Sequence, residues 1–189
     1  MHATRDGVVV VHHDPVPRRV GLPPDRNGVP IAELTWEALA PFEIAPGLGI
    51  PTLGDVLTLV GDRADVYVEI KGIGIEARVA ATIRNGAARC VVHSFDHAAI
   101  ERMANLAPEI PRGLLFDEYP IDPAGAMRAA GARDVWPHWR LIDSRLLDRV
   151  HEVGGRVIAW TVDDPSDAEA LLALGTDALC SDDIRLLPR

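Results

Sequence analysis

The chain has 189 residues, and 48% of them are hydrophobic, which is enough for one domain with a sizeable core. Its formal net charge of -9 at pH 7 comes without any basic stripe, so we expect no nucleic-acid partner. Two cysteines cannot build a secreted-type disulfide framework, no signal peptide precedes the first predicted strand, and no apolar run approaches a membrane span. These features predict a cytoplasmic protein with no stable membrane insertion.

The N-terminal segment predicts a hairpin that leads to two adjacent histidines. Residues 5–7, Arg-Asp-Gly, are typical of a tight turn, and the valines at residues 8–11 predict a strand. A partner strand should precede such a turn, and residues 1–4 are the part of the chain available for it. Adjacent strand residues point to opposite faces, so His12 and His13 cannot share one role.

The next segment predicts two capped helices separated by loops. Residues 15–30 are rich in proline, glycine and arginine and predict a loop, and residues 45–51 predict another. Thr35 stands at the N-cap position of a short helical pattern, and Thr52 stands at the same position of a second, amphipathic helix.

From Val66 onward, apolar strand-like runs alternate with amphipathic helical stretches at a spacing of roughly 22 residues. The runs begin near Val66, Cys90, Arg112, Asp134, Arg156 and Asp177. The helical stretches lie at residues 76–85, 96–106, 123–130, 144–153 and 165–174. Successive βα units imply parallel strands, which an open doubly wound sheet and a closed (β/α)8 barrel both contain. The even spacing, and the lack of a glycine-rich nucleotide loop after any strand, favour the barrel.

The first of these runs ends in two opposite charges. Glu69 and Lys71 lie two residues apart, so their side chains leave the strand from the same face. One interpretation is a structural ion pair, because a paired charge is tolerated where a single one is costly. However, 18 of the 19 basic residues are arginine, and Lys71 is the one lysine. A compact ammonium suits a phosphate oxygen beside a carboxylate-held cation, so we expect a ligand site here.

Functional residues of a barrel gather where its strands end and its βα loops begin. Those positions in this chain hold carboxylates, histidines and tryptophans, among them His93, Asp117, His138, Trp160 and Asp182. Packing or helix capping explains each residue taken alone, but their joint placement favours a site.

Several segments, in order, resemble the glycerophosphodiester phosphodiesterase family, a (β/α)8 barrel group. The segments are T-R-D-G to V-H-H-D at residues 4–14, I-P-T-L at 50–53, E-I-K at 69–71, S-F at 94–95, W-T-V at 160–162, and G-T-D to S-D at 175–182. They span nearly the whole chain, and the ordered set is far more specific than any one tripeptide.

The resemblance implies hydrolysis of a small glycerophosphodiester to an alcohol and glycerol 3-phosphate, with a divalent cation, Ca²⁺ or Mg²⁺, held by carboxylates. It implies that Glu69 is a metal ligand, that Lys71 contacts the phosphate, and that His13 is one of two catalytic histidines, the acid for the departing alcohol. It further implies substrate-binding roles for Trp160, on the glycerol side, and for Phe95.

The chain departs from the family pattern at its start. The family opens with a strand carrying His-Arg-Gly and a strand carrying Glu-x-Asp, and neither precedes residue 4 here. Missing with them are the other catalytic histidine, a phosphate-contacting arginine and two of three carboxylate ligands. We therefore expect one incomplete barrel domain over residues 1–189, with six barrel strands, an N-terminal strand and the first two βα elements absent. Exposed barrel edges predict poor folding or self-association of this polypeptide, together with weak cation binding.

Two other functions fit parts of the same pattern. A non-catalytic phosphate-binding or scaffold barrel would use Glu69 and Lys71 only to hold a small anion, and an upstream reading frame lacking His-Arg-Gly and Glu-x-Asp would favour it. A phospholipase D-like toxin would share the histidine and carboxylate chemistry, but the short loops and the lack of a disulfide pair disfavour it.

Overall fold

The structure is a computed structural model that describes residues 1–17 and 28–186, so most of the predicted loop over residues 15–30 lies outside the described residues. The chain divides into two compact units, residues 1–91 with 105–107 and residues 92–104 with 108–189. Each unit has hydrophobic core clusters of its own. The single domain expected over residues 1–189 stays a prediction.

The described residues form ten strands and seven α-helices. The strands are β1 (His2–Ala3), β2 (Val9–Val10), β3 (Glu43–Ala45), β4 (Leu48–Gly49), β5 (Val66–Glu69), β6 (Cys90–Ser94), β7 (Arg112–Phe116), β8 (Asp134–Pro137), β9 (Arg156–Ala159) and β10 (Ala178–Leu179). The helices are α1 (Trp36–Leu39), α2 (Leu53–Val60), α3 (Glu76–Asn85), α4 (His97–Leu106), α5 (Pro123–Ala130), α6 (Ser144–His151) and α7 (Pro165–Leu174). Short 3-10 turns add Ile31–Glu33, Trp139–Leu141 and Ile184–Leu186.

In the first unit, β1 and β2 form the predicted antiparallel hairpin, with His2 opposite Val10. Gly7 closes the turn with φ of 94°, a left-handed conformation that favours glycine. The Asp6 carboxylate accepts a hydrogen bond of 3.0 Å from the Trp36 N–H, which ties the turn to the start of α1.

Both predicted helix caps are confirmed. Thr35 Oγ1 accepts a hydrogen bond of 3.3 Å from the Ala38 N–H at the start of α1. At the start of α2, the Asp55 N–H donates to Thr52 Oγ1 at 3.0 Å and the Thr52 N–H donates to the Asp55 carboxylate at 3.1 Å. This reciprocal capping box satisfies two N–H groups that an uncapped helix would leave without a partner.

The prediction of a loop over residues 45–51 is wrong in part, because β3 and β4 form a short antiparallel hairpin there. Glu43 lies opposite Gly49, and Ala45 lies opposite Leu48. Most of this hairpin is exposed, so it has no buried face to impose an apolar alternation on the sequence.

The core of the first unit is aliphatic, as the scarcity of aromatic residues requires. It contains Val10, Ile31, Leu39 and Ile50, with Trp36 and Phe42 among the side chains packed against them. These two aromatic residues therefore serve as packing residues. Also in this unit, β5 has Val68 fully buried, and the Val66 N–H donates to the Arg89 carbonyl at 2.8 Å.

In the second unit, β6 to β10 form a parallel sheet in chain order. Helices α5 and α6 contribute to one core cluster with β8 and β9, formed by Met127, Val135, Leu146, Leu147, Val150 and Val157. A second cluster comprises Ala159, Val162, Ala168 and Leu171 from β9, the segment after it and α7. Helices that follow strands thus pack back onto the sheet, as the βα repeat predicts.

Of the six strands predicted from Val66 onward, five begin where expected and β10 begins one residue late, at Ala178, while the strand predicted over residues 8–11 is shorter, at Val9–Val10. The predicted helices at residues 76–85, 123–130 and 165–174 match α3, α5 and α7 in full. Neither Cys90 nor Cys180 is in a disulfide bond. Of the helices in residues 1–17 and 28–186, none combines the length and the apolar character that a bilayer crossing requires.

A buried ionic cluster fixes the beginning of β8 and β9. Asp134, the first residue of β8, is fully buried, and its two oxygens accept hydrogen bonds from Arg133 and from Arg156, the first residue of β9, at 2.8 to 3.1 Å. Burial by itself raises the pKa of the Asp134 carboxyl, but the hydrogen bonds and charges of both arginines outweigh it and hold that pKa below its usual value.

We expect Asp134→Asn to lower the free energy of unfolding by about 2 kcal/mol at pH 7, because two arginines lose a buried anion. A lowered folded-state pKa contributes stability above the unfolded-state value and loses it as the pH falls through the folded-state value. The difference between wild type and variant should therefore shrink below about pH 4 in urea titrations. Asp65→Asn, which breaks an exposed pair with Arg89, should cost less than about 0.5 kcal/mol. Equal losses in the two variants would contradict the role of the cluster.

Candidate active site

The candidate site in the first unit is built at the end of β5. Glu69 is the last residue of this strand, and Lys71 follows two residues later on the same face. Lys71 Nζ lies 3.3 Å from Glu69 Oε1, and the two side chains are only 23% and 26% exposed. The predicted proximity of the two charges is thus present, and each reduces the cost of partly burying the other.

The Glu69 oxygen keeps acceptor capacity that no described residue uses. Oε1 is buried and accepts no hydrogen bond from the described residues, although the Lys71 ammonium lies beside it. A buried carboxylate oxygen in that position fits one ligand of a hard divalent cation. The described residues contain no group of three or more histidine, cysteine or acidic side chains that could hold a metal ion. The role of Glu69 as a metal ligand therefore stays a prediction, which rests on its own buried oxygen and not on a cluster of ligands among the described residues.

Backbone hydrogen bonds fix the turn that carries Lys71. The N–H groups of Lys71 and Gly72 both donate to the Met1 carbonyl, at 3.1 and 3.0 Å. At Gly72, a Cβ atom would lie 3.0 Å from the Ile75 side chain and 3.4 Å from the His2 Cα, so the close approach of the two backbones favours glycine. These contacts place the lysine beside the N-terminal hairpin.

The same hairpin brings His13 to the lysine. His13 Nε2 lies 3.3 Å from Lys71 Nζ, and the imidazole side chain is 82% exposed. Its backbone carbonyl accepts a hydrogen bond of 3.2 Å from His2 Nε2, and burial lowers the pKa of the His2 imidazole. His12 instead places Nδ1 2.7 Å from the Asp14 carbonyl. The two adjacent histidines therefore have different partners, as strand alternation predicts.

The second unit contains an aromatic cluster at the ends of its strands. Trp160 follows β9, and its indole N–H donates to the Trp136 carbonyl at 2.8 Å. The Phe95 ring, just after β6, meets the Trp160 ring edge to face with centroids 5.4 Å apart. His138 packs against Trp160 in the same manner at 5.3 Å. Each ring pair is in the arrangement that aromatic quadrupoles favour.

The predicted site residues therefore fall into two groups. Glu69, Lys71 and His13 lie together in the first unit, and Phe95 and Trp160 contact each other in the second. Sequence reasoning did not assign a role to Asp14, whose Oδ1 is 2.8 Å from His13 Nδ1. The available signal was its position directly after the histidine.

Solved structures share the fold of this chain. A "putative glycerophosphoryl diester phosphodiesterase" from Silicibacter pomeroyi DSS-3 superposes with a TM-score of 0.85 at 23% identity, over 97% of this chain and 78% of that one. A phosphodiesterase from Oleispira antarctica, solved with the product sn-glycerol-3-phosphate, superposes with a TM-score of 0.83 at 21% identity, over 96% of this chain and 78% of that one. The fold class is thus the α/β, (β/α)8 type of the phosphodiesterases, as predicted.

Sequence comparison then gives the family. The model described as "Glycerophosphoryl diester phosphodiesterase family" matches residues 1–186. The glycerophosphodiester phosphodiesterase of Caldanaerobacter subterraneus subsp. tengcongensis is 29% identical over 95% of this chain and 79% of its own length. A probable glycerophosphodiester phosphodiesterase 2 of Mycobacterium tuberculosis is 31% identical over 99% of this chain and 75% of its own length. The chain belongs to this family, and its enzyme class is that of the phosphoric diester hydrolases, which confirms the resemblance found in the sequence.

Proposed function

We propose that this protein hydrolyses glycerophosphodiesters to an alcohol and glycerol 3-phosphate by the side chains of the first unit. The observation that carries the proposal is the position of the Lys71 ammonium, 3.3 Å from both Glu69 Oε1 and His13 Nε2. Phosphate ester cleavage needs positive charge beside the phosphate oxygens and a proton for the departing oxygen. The three side chains can supply both. Relatives named glycerophosphodiester phosphodiesterases support the same substrate class.

In this proposal Lys71 binds the phosphate and His13 is the acid. The ammonium has three donors on a flexible stem, so it can turn from His13 Nε2 to a phosphate oxygen without moving the backbone. Nε2 is then released and can carry a proton. A water oxygen bonds to phosphorus and releases one proton to the solvent, while the bond between phosphorus and the alcohol oxygen breaks. Nε2 gives its proton to that alcohol oxygen, so the products are an alcohol and glycerol 3-phosphate.

We assign Glu69 as a ligand of a divalent cation, Ca²⁺ or Mg²⁺. The assignment rests on its buried oxygen, which accepts no hydrogen bond from the described residues. Phosphate-handling Mg²⁺ sites commonly use one or two carboxylates and complete the shell with water and substrate oxygens, so one protein ligand can anchor the ion. The bound cation would supply positive charge to the phosphate oxygens.

We assign Trp160 and Phe95 to substrate binding, Trp160 on the glycerol side. The indole N–H of Trp160 is already donated to a backbone carbonyl, so this residue offers its ring face and no further hydrogen bond. An edge-to-face pair of this kind presents a rigid apolar surface, which suits the carbon skeleton of a small diester.

A non-catalytic barrel that binds a small phosphate is the second candidate. It is favoured by the finding that the described part of the chain gathers no group of three metal-ligating side chains. It predicts binding of glycerol 3-phosphate without turnover of a diester.

We expect the purified chain, with its weak cation binding, to release glycerol 3-phosphate from glycerophosphocholine slowly. Lys71→Arg should lower kcat/KM at least about tenfold further, because a planar guanidinium cannot replace a compact ammonium between two partners. Enzymatic detection of glycerol 3-phosphate measures the rate. The reverse exchange Arg89→Lys, at the exposed pair with Asp65, should keep the wild-type rate. Full activity of Lys71→Arg would refute the role of the lysine, and binding without turnover would favour the second candidate.

Glu69→Gln should raise the Mg²⁺ or Ca²⁺ concentration for half-maximal activity by about tenfold or more, because the amide loses the anionic oxygen. The measurement is activity against cation concentration, with isothermal titration of each ion as an independent readout. Glu37→Gln, the same change at an exposed position in α1, should change neither the cation dependence of activity nor the binding isotherm. An unchanged cation requirement in Glu69→Gln would contradict the ligand assignment.

Trp160→Leu should raise KM about tenfold with a smaller effect on kcat, because the ring contributes to binding and not to proton transfer. Steady-state kinetics on glycerophosphocholine separates the two constants. Trp139→Leu, a matched change in the 3-10 turn after β8, should alter KM less than about twofold. A wild-type KM in Trp160→Leu would remove this residue from the substrate site.

A further inference from the structure

The two ring nitrogens of His13 face partners of opposite hydrogen-bonding character. Nδ1 lies 2.8 Å from Asp14 Oδ1, and Nε2 lies 3.3 Å from Lys71 Nζ. An ionised carboxylate only accepts hydrogen bonds, and an ammonium only donates them. The neutral ring that satisfies both partners carries its hydrogen on Nδ1 and leaves a lone pair on Nε2.

We propose that Asp14 is a positioning residue, which holds His13 in the Nδ1–H tautomer and thereby makes Nε2 the nitrogen that reacts. The inference deepens the proposed function and rests on the role of His13 in it. A histidine oriented by a carboxylate on its far nitrogen is a recurring arrangement in enzymes that transfer protons, because the carboxylate fixes the ring and stabilises the imidazolium.

The backbone around Asp14 supports this role. The His13 carbonyl accepts a hydrogen bond from the buried His2, and the Asp14 carbonyl lies 2.7 Å from His12 Nδ1. These contacts hold the two peptide units from which the imidazole and the carboxylate project. The Asp14 side chain is 33% exposed, so it is partly shielded from solvent.

The two partners of the ring behave differently when substrate binds. Without substrate, the Lys71 ammonium faces the lone pair of Nε2, and the Asp14 carboxylate faces Nδ1. When a substrate phosphate binds the Lys71 ammonium, the ammonium leaves Nε2, while the Asp14 carboxylate keeps its hydrogen bond to Nδ1. Nε2 can then gain the proton that it later gives to the departing alcohol. The ring is 82% exposed, so we expect an effect of about tenfold and not the thousandfold effects of buried dyads.

The test uses nitrogen-15 NMR of the histidine side chains in the full chain, for wild type, Asp14→Asn and the control Asp65→Asn. Wild type and the control should show the Nδ1–H tautomer of His13, whereas Asp14→Asn should shift the population toward Nε2–H. Asp14→Asn should also lower kcat on glycerophosphocholine about tenfold with KM within about twofold of wild type. Asp14→Glu should restore part of both signals.

An unchanged tautomer in Asp14→Asn overturns the inference, and the NMR result decides this without any turnover. A shifted tautomer with wild-type kcat overturns it as well, because the orientation would then have no effect on the reaction. His13→Gln separates this failure from that of the proposed function. Wild-type kcat in His13→Gln refutes the catalytic role of the histidine itself, whereas an inactive His13→Gln beside a fully active Asp14→Asn refutes only the role of Asp14.

Discussion

The ammonium of Lys71 is the charge on which the candidate site depends. It is held at equal distance from a carboxylate oxygen of Glu69 and a ring nitrogen of His13, and the surrounding backbone is arranged to keep it there. The alternation of β5 sets the first contact, and the pairing of β1 with β2 delivers the histidine for the second. Every other basic residue of the chain is arginine. Its one lysine stands between Glu69 and His13, where a compact ammonium on a flexible stem can donate to either partner.

The sequence was most informative in the βα repeat. A parallel strand covered on both faces must be apolar along its length, and the helix that returns the chain must be apolar on one side. These two requirements repeat at an even spacing, so strand starts such as Arg112 and helices such as Pro123–Ala130 were predictable. The caps at Thr35 and Thr52 were predictable for a different reason, because their hydrogen bonds involve residues only three positions away.

The features that the sequence did not reveal depend on side-chain direction or lack a buried face. The β3–β4 hairpin is mostly exposed, so no hydrophobic alternation marks it. The pairing of Glu69 with Lys71 followed from strand parity. Strand parity alone did not separate His13 from His12, and the family resemblance singled out His13, but its contact with Lys71 depends on the course of the backbone after β2. The contact between Asp14 and the ring required it too, since adjacent residues in a turn can point in many directions.

The cluster around Asp134 lies at the opposite end of its strands from the positions where ligands bind, so stability and binding depend on different residues. Its carboxylate joins the first residues of β8 and β9, whereas Trp160 and His138 stand just past the last residues of the same strands. In parallel sheets, ligands are bound beyond the carboxyl ends of the strands. The second unit can therefore accept new side chains, or new loop lengths, at that end while its ionic anchor stays untouched. Such an arrangement lets substrate preference change among descendants of one chain without altering the ionic contacts that stabilise its fold.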